Sequence, residues 1–192
     1  PYGTREINEV GLLDELNARS VDAAESSYYN QYGQEIYTEH CGIHMGYADG
    51  QRFVHRGILQ MILYKAVVER LGADAVVMGV RCTGFEQDDA GVTLRFASAS
   101  NEAMSLPMEV RAEIAIAGDG IKSAIRNQLF PESSEPRYSG ITLWRGVTLM
   151  KPFKEGKTIL HIGAPSQGSL IVYPILDNAD DSGLTLVNCC LL

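Results

Sequence analysis

Residues 114–129 read IAIAGDGIKSAIRNQL: an alternating apolar stretch, a Gly-Asp-Gly turn, then helix-forming residues with Ile121, Lys122, Ser123 and Arg126 at the start. This order predicts a core strand feeding a tight turn and a helix. Gly118-Asp119-Gly120-x-x-Ser123 differs from the phosphate-binding pattern G-x-G-x-x-G in having Ser at the third glycine. Glycines there let backbone approach a phosphate, and a helix N-terminus offers free N–H donors with partial positive charge. Asp119 works against a phosphate at the same spot. Its carboxylate suits sugar or ribityl hydroxyls, or the capping of the helix through backbone N–H groups. A capped turn with nothing bound is the plain alternative.

Working outward, residues 5–18 (REINEVGLLDELNA) place Ile7, Val10, Leu13 and Leu16 at spacing three, which predicts one short amphipathic helix despite Gly11. Residues 27–38 are tyrosine-rich around Gly33 and predict a hairpin, followed by the Gly- and His-containing loop CGIHMGYADGQ. Leu59, Ile62, Leu63, Ala66 and Val67 give the clearest helical spacing, stopped at Gly72. Ile58, Met61, Val68 and Leu71 widen its apolar arc and predict cover on more than one side. AVVMGV (75–80) is short and continuously apolar, as in a buried parallel strand, and a helix feeding it suggests an α/β sheet. Residues 80–98 alternate around a DDAG turn and predict an antiparallel hairpin. Beyond PESSEPRYSG the pattern shifts, and ITLWRGVTL, KTILHIG, GSLIVYPI and GLTLVN are strand-like with no helical spacing between them. A boundary near Ser139 is expected, with mixed α/β before it and antiparallel β after it.

The 192 residues carry 16 basic against 24 acidic side chains, a net charge of −8, and no Lys/Arg stripe. Duplex nucleic acid is therefore not an expected partner, because phosphate neutralisation supplies most of that affinity. No apolar run is long enough for a membrane helix and no signal-peptide pattern opens the chain, so a cytoplasmic location is expected. Cys41, Cys82, Cys189 and Cys190 lack a CxxC spacing and read as free thiols. His40, His44 and Asp49 surround a loop whose Gly42 and Gly46 argue against a helical metal site, and no metal is expected. No G-x-S-x-G or HExxH occurs, which leaves hydrolase readings without support. The chain opens on Pro1 and stops after NCCLL, and a fragment of a longer protein is the expectation.

Arg56 stands out in FVHRGILQMIL, at the edge of the clearest helix, where the macrodipole disfavours a cation. It makes sense if an anion binds there, gripped by the guanidinium fork, or if a nearby carboxylate pairs with it. His55 beside it reads as structural rather than catalytic.

In this order and spacing, VHRGILQMIL, CTGFEQDDAGV, AGDGIKSAIR, LWRGVT and IVYPI resemble the flavin-dependent aromatic-ring monooxygenases, the group of para-hydroxybenzoate and salicylate hydroxylase-like enzymes. The resemblance runs through nearly the whole chain. It implies FAD and NAD(P)H as cofactors, and O2 and a small aromatic molecule as substrates. The Asp-Gly segment, here Gly118, Asp119, Gly120, Ser123 and Arg126, would lie near the dinucleotide. Arg56 matches a polar position that contacts FAD at a helix start, and Cys82 falls where strand backbone meets adenine. Trp144, Arg145 and Tyr173 would face the substrate. The implied fold is mixed α/β (α+β): part of a Rossmann-like FAD-binding domain (1–27 and 51–138) with an antiparallel β-rich substrate domain (28–50 and 139–192). The family's first GxGxxG element and its later flavin-holding segment are not in this sequence, and AGDG replaces the commoner GADG order. No catalytic side chain is expected, since the chemistry belongs to the flavin.

Two alternatives remain open from the residues alone. One is a nicotinamide-dependent dehydrogenase using GDGxxS as its nucleotide turn; the other is a non-catalytic binding domain.

Overall fold

The computed structural model describes residues 2–99, 108–133, 135–164, 166, 168–178 and 182–192. In chain order its elements are α1 (Tyr2–Glu9), α2 (Leu13–Asn17), β1 (Val21–Ala23), β2 (Glu25–Tyr29), β3 (Glu35–His40), β4 (Gln51–Phe53), α3 (Arg56–Leu71), β5 (Val80–Asp88), β6 (Gly91–Ser98), β7 (Glu109–Ala112), α4 (Ala124–Leu129), β8 (Trp144–Met150), β9 (Thr158–Ala164), β10 (Gly168–Leu176) and β11 (Thr185–Leu191). The chain separates into two compact units, residues 1–72 with 141–192, and residues 73–140. The fold is mixed α/β, as predicted.

The first unit is organised by a six-stranded sheet in the order β3-β2-β9-β10-β11-β8. The four predicted late strands all form, and the predicted early hairpin, β2 with β3, joins them. β2 runs parallel to β9, and every other neighbour is antiparallel. Because residues opposite one another share a sheet face, the register aligns one row across all the strands. That row is Tyr37, Tyr28, His161, Ile171, Cys190 and Arg145. The β1–β4 ribbon lies over this face: buried Val21, Ala23, Cys41 and Phe53 pack on Ile159 and Tyr173. A satellite core joins Leu12 to Ile62 and Ala66 of α3, with Ile7 and Ile58 at its margin.

Two expectations about this unit are corrected. Residues 5–18 are not one helix. Gly11 takes a left-handed φ of 71°, which breaks the helix into α1 and α2 and turns Leu12 inward, to an exposure of 7%. The Arg70 guanidinium then donates to the Val10 carbonyl at 2.7 Å, pinning the break to α3. Nor is α3 covered on several sides. Ile62 and Ala66 are its buried residues, while Met61 and Leu71 are exposed.

The second unit holds a three-stranded antiparallel sheet, β5-β6-β7, and α4. The predicted hairpin around DDAG is present, with a bulge between Cys82 and Gly84. The parallel strand expected at 75–80 does not form: Val77 and Met78 are exposed, and Val80 instead opens β5, whose partner is the antiparallel β6. The expected core strand EIAIAG is also corrected. β7 pairs only as far as Ala112, opposite Val92, because β6 begins at Gly91 and offers no further partner. Ile114 and Ile116 therefore run on without ladder bonds among the described residues, 79% and 94% exposed.

α4 is tied to β5 by one side chain. The Gln128 amide donates to the Phe85 carbonyl at 2.6 Å and accepts from the Phe85 N–H at 3.0 Å, standing in for a strand neighbour. No helix among the described residues is long and apolar enough to cross a membrane.

Candidate functional site

The Gly-Asp-Gly turn folds around its carboxylate. Gly120 adopts a φ of 81°, and the helix opens at Ala124, not at Ile121 as expected. Ser123 is the N-cap: its hydroxyl accepts from the Arg126 N–H at 2.9 Å. Asp119 reaches past it, its Oδ2 accepting from the Ala124 N–H at 2.8 Å and the Ile125 N–H at 3.4 Å. The Ser123 hydroxyl, helped by these backbone donors, holds the Asp119 carboxyl below the usual carboxylate range. The Arg126 side chain turns to the far end of the helix, where it donates to the Ser133 carbonyl at 3.3 Å and lies over the Phe130 ring.

Beside the turn is a cleft of about 800 Å³. Of the candidate cofactor residues, Cys82, Gly118 and Asp119 line it, and Gly120, Ser123 and Arg126 do not. Its walls are apolar, among them Phe85, Val92, Ile114, Ile116 and Leu129, and its charged groups are Asp88, Asp89, Glu113 and Asp119. With four carboxylates in the lining, of which Asp88 is paired with Arg111, and no cation of its own, the cleft opposes a phosphate and favours an apolar ring or hydroxyl donors. Cys82 presents strand backbone there, its thiol turned to the Gly84 carbonyl at 3.6 Å.

Arg56 lies in the first unit. It is exposed at the start of the sixteen-residue α3, whose first turn holds no acid, and it makes no hydrogen bond or ion pair among the described residues. The surface-pair explanation for this arginine is thus removed. His55 is the N-cap, its Nδ1 accepting from the Gly57 N–H at 3.1 Å, which accounts for it structurally.

A second hollow, of about 440 Å³, opens on the sheet face under the β1–β4 ribbon. Arg145 and Tyr173 both line it, with Phe53, Ile159, His161, Ile171 and Cys190. Trp144 does not: one residue from Arg145 on β8, it points to the opposite face and is 71% exposed. Arg145 Nε donates to Cys190 Sγ at 3.1 Å, and Asn188 Nδ2 donates to the same sulfur at 3.1 Å. Burial lowers the His161 pKa and raises that of Tyr173, which favours the neutral form of each near neutral pH. His161 stacks on Tyr28, and Tyr28 on Tyr37, with ring centroids 4.6 and 4.5 Å apart.

Sequence reasoning missed His161 and Arg52 of this lining and Gln128 of the turn's support. Only the alternation of β9 hinted at His161. Nothing local marks the other two, whose roles depend on strands far away in sequence.

Known proteins resemble the chain as a whole in sequence and in fold. A phenazine 1,6-dicarboxylic acid hydroxylase, PhzS, from Lysobacter antibioticus is 31% identical over 188 residues, covering 98% of this chain and 46% of that protein. The 3-amino-4-hydroxybenzoate 2-monooxygenase PtmB3 of Streptomyces platensis is 33% identical over 117 residues, covering 59% of this chain and 26% of that one. The fold matches Klebsiella pneumoniae HpxO complexed with FAD and uric acid, at a TM-score of 0.72 and 20% identity, covering 98% of this chain and 44% of that one. The chain thus spans about half the length of the full-coverage relative or less. These likenesses do not favour the dehydrogenase or the non-catalytic reading. Residues 5–187 match the family described as FAD binding domain, and the chain belongs to that family.

Proposed function

We propose that this chain is part of a cytoplasmic FAD-dependent monooxygenase that uses NAD(P)H and O2 to hydroxylate a small aromatic acid. The carrying observation, in a chain of this family, is an arginine that opens a long helix with no acid in its first turn and has no partner among the described residues. Arg56 and the α3 N-terminus suit a phosphate of FAD, which the guanidinium fork and the free N–H groups would hold together. The acid-rimmed cleft suits a part of a dinucleotide other than its phosphates. There Asp119 would accept from sugar hydroxyls, Cys82 backbone would face the adenine, and Gly118 leaves open space where a side chain would stand, while Gly120 gives the turn its left-handed bend. Ser123 and Arg126 then shape the turn rather than touch the cofactor.

When bound, FAD supplies the redox chemistry, drawing electrons from NAD(P)H and directing oxygen from O2 to the ring. The chain's own contribution is binding, orientation and exclusion of water. Arg145 would anchor the acid group of the substrate, and Tyr173 and Phe53, whose rings lie 5.3 Å apart, would wall the hollow. The relatives' names support the aromatic-acid class, since a dicarboxylic phenazine and an aminohydroxybenzoate are the molecules they specify. The proposed division of labour is 1–27 and 51–138 for a Rossmann-like nucleotide-binding part, and 28–50 and 139–192 for the substrate. It cuts across the compact units, because the ribbon strand β4 packs on the sheet.

The test is expression of the polypeptide with its natural flanking residues. It should purify yellow and oxidise NADPH faster when given an aromatic acid, and Arg56→Gln should cost most of the flavin. A colourless protein with no acid-stimulated oxidation overturns the reading. The chain by itself should bind FAD only weakly in a fluorescence titration.

A further inference from the structure

We infer that Cys190 is a positioning residue of the sheet hollow: its sulfur holds Arg145 by one nitrogen, so that the guanidinium presents its two terminal amino groups to an acid. This rests on the reading of the hollow as the substrate site and of Arg145 as its anion anchor.

Register, packing and the lining itself place both side chains on the face that bears the hollow. Cys190 stands directly opposite Arg145 across β11 and β8. Along the same row Cys190 is opposite Ile171, and Ile171 opposite His161, and these residues line the hollow too. The ribbon packs on this face through Ile159 and Tyr173, each at spacing two from His161 or Ile171 on its own strand. Arg145 and Cys190 both belong to the lining, which holds no Asp or Glu.

The contact between them has one direction. A guanidinium donates and never accepts, so the 3.1 Å approach of Arg145 Nε to Cys190 Sγ makes the sulfur the acceptor. Asn188, at spacing two on β11 and so on the same face, donates its Nδ2 to that sulfur at 3.1 Å. Asn188 and Cys190 are 7% and 4% exposed, which makes the sulfur a fixed point of the sheet. Arg145 is the opposite case. It is an exposed residue of the edge strand β8, and among the described residues this sulfur is its hydrogen-bond partner and no carboxylate pairs with it.

An untethered arginine samples many rotamers, and an incoming acid must arrest them all. With Nε held, much of that freedom is gone before the acid arrives. The side edge of the guanidinium, which uses Nε, is closed by the sulfur. The end edge, Nη1 with Nη2, is left for a bidentate carboxylate contact.

The test uses the full-length polypeptide with its natural flanking residues, loaded with FAD. It reads KM and kcat for NADPH oxidation stimulated by the acids that the relatives' names specify, phenazine-1,6-dicarboxylate and 3-amino-4-hydroxybenzoate. Arg145→Gln should raise KM about thirtyfold. Cys190→Val, which removes the acceptor and keeps the bulk, and Cys190→Ala, which removes both, should each raise KM about fivefold and change kcat less than about twofold. Cys190→Ser restores an acceptor and should return KM to within about twofold of the parent value. Cys189→Val, on the opposite face, should change neither constant. In the Arg145→Gln background, Cys190→Val should have no further effect, whereas a packing role would raise KM again there. Parent-like KM in Cys190→Val and Cys190→Ala, or the same rise with and without Arg145, overturns the proposal, while a raised KM in Arg145→Gln keeps the substrate-site reading. An unchanged KM in Arg145→Gln, or stimulation by neither acid, removes both.

Discussion

The unit built on the six-stranded sheet and the unit of residues 73–140 bury their chains very differently. In the first, Val187, Thr158, Thr185, Pro174 and Ser27 are each under 2% exposed, one apolar cluster packs on the sheet and a second joins Leu12 to α3. In the second, the buried described residues are Gly84, Phe85 and Val92, while Ile114, Ile116 and Ile121 stand in solvent. The first has an interior; the second depends on a hairpin ladder, one amide bridge and a capped turn. Area removed from water is the main favourable term in folding, so the same lost methyl groups should matter more in the first unit than in the second.

The largest expected contrast comes from matched truncations. Val187→Ala should cost about 2–3 kcal/mol and Val92→Ala no more than about 1 kcal/mol, measured by urea unfolding followed by circular dichroism. Equal costs would break the comparison. Next, Gln128→Ala removes both bonds to the Phe85 backbone and leaves that peptide group unpaired, an expected loss of about 1–3 kcal/mol. Hydrogen exchange should show the Phe85 amide opening while β10 and β11 stay protected. Ser123→Ala should cost about 1 kcal/mol by removing the α4 cap, visible as faster exchange at Arg126.

The smallest effect belongs to the sheet unit. Glu35 has its pKa lowered from 4.5 to about 2, first by the hydrogen bond from Lys154 and then by those from Tyr29 and Thr38. A depressed carboxyl pKa gives stability that is present above pH 4.5 and lost as pH falls toward 2. Both side chains are partly exposed, so solvent screening keeps the effect small. Lys154→Met should flatten that part of the stability profile. Lys154 also holds a positive φ of 42° in the turn before β9, and Glu155 one of 61°, so the ion pair pins a strained turn.

Elements whose partners lie close in sequence were legible from pattern. The β5–β6 hairpin announces itself through DDAG and alternation, and α3 through its 3–4 spacing and Gly72. The failures have a common cause. AVVMGV and EIAIAG have strand composition, yet a strand exists only where a neighbour's N–H and C=O groups are in reach, and β6 runs out at Gly91. The helix over 5–18 failed because Leu12 gains more by turning onto Ile62 and Ala66 than the regular backbone offers.

The candidate site divides in the same way. Arg56 could be singled out from sequence because a cation at a helix start conflicts with the macrodipole, which is a local rule. Asp119 could be assigned either to a ligand or to a cap; its Oδ2 bonds to the Ala124 and Ile125 N–H groups show the cap, and the ligand role stands as a proposal for the rest of the carboxylate. Arg145 and Trp144 look equally suited as neighbours in LWRG, and only the sheet sends one into the hollow and the other out to solvent.

The sequence alone thus determined the mixed α/β class, the strand-rich half and the family to which the motifs belong, because periodicity, turn chemistry and short motifs are written in adjacent residues. Tertiary structure decided which face each strand residue took, which apolar runs found partners, and that Arg52, His161 and Arg145 share one hollow. The physical reason is that register and burial depend on pairings between segments more than a hundred residues apart in the chain, such as Tyr28 with His161, which no local pattern encodes.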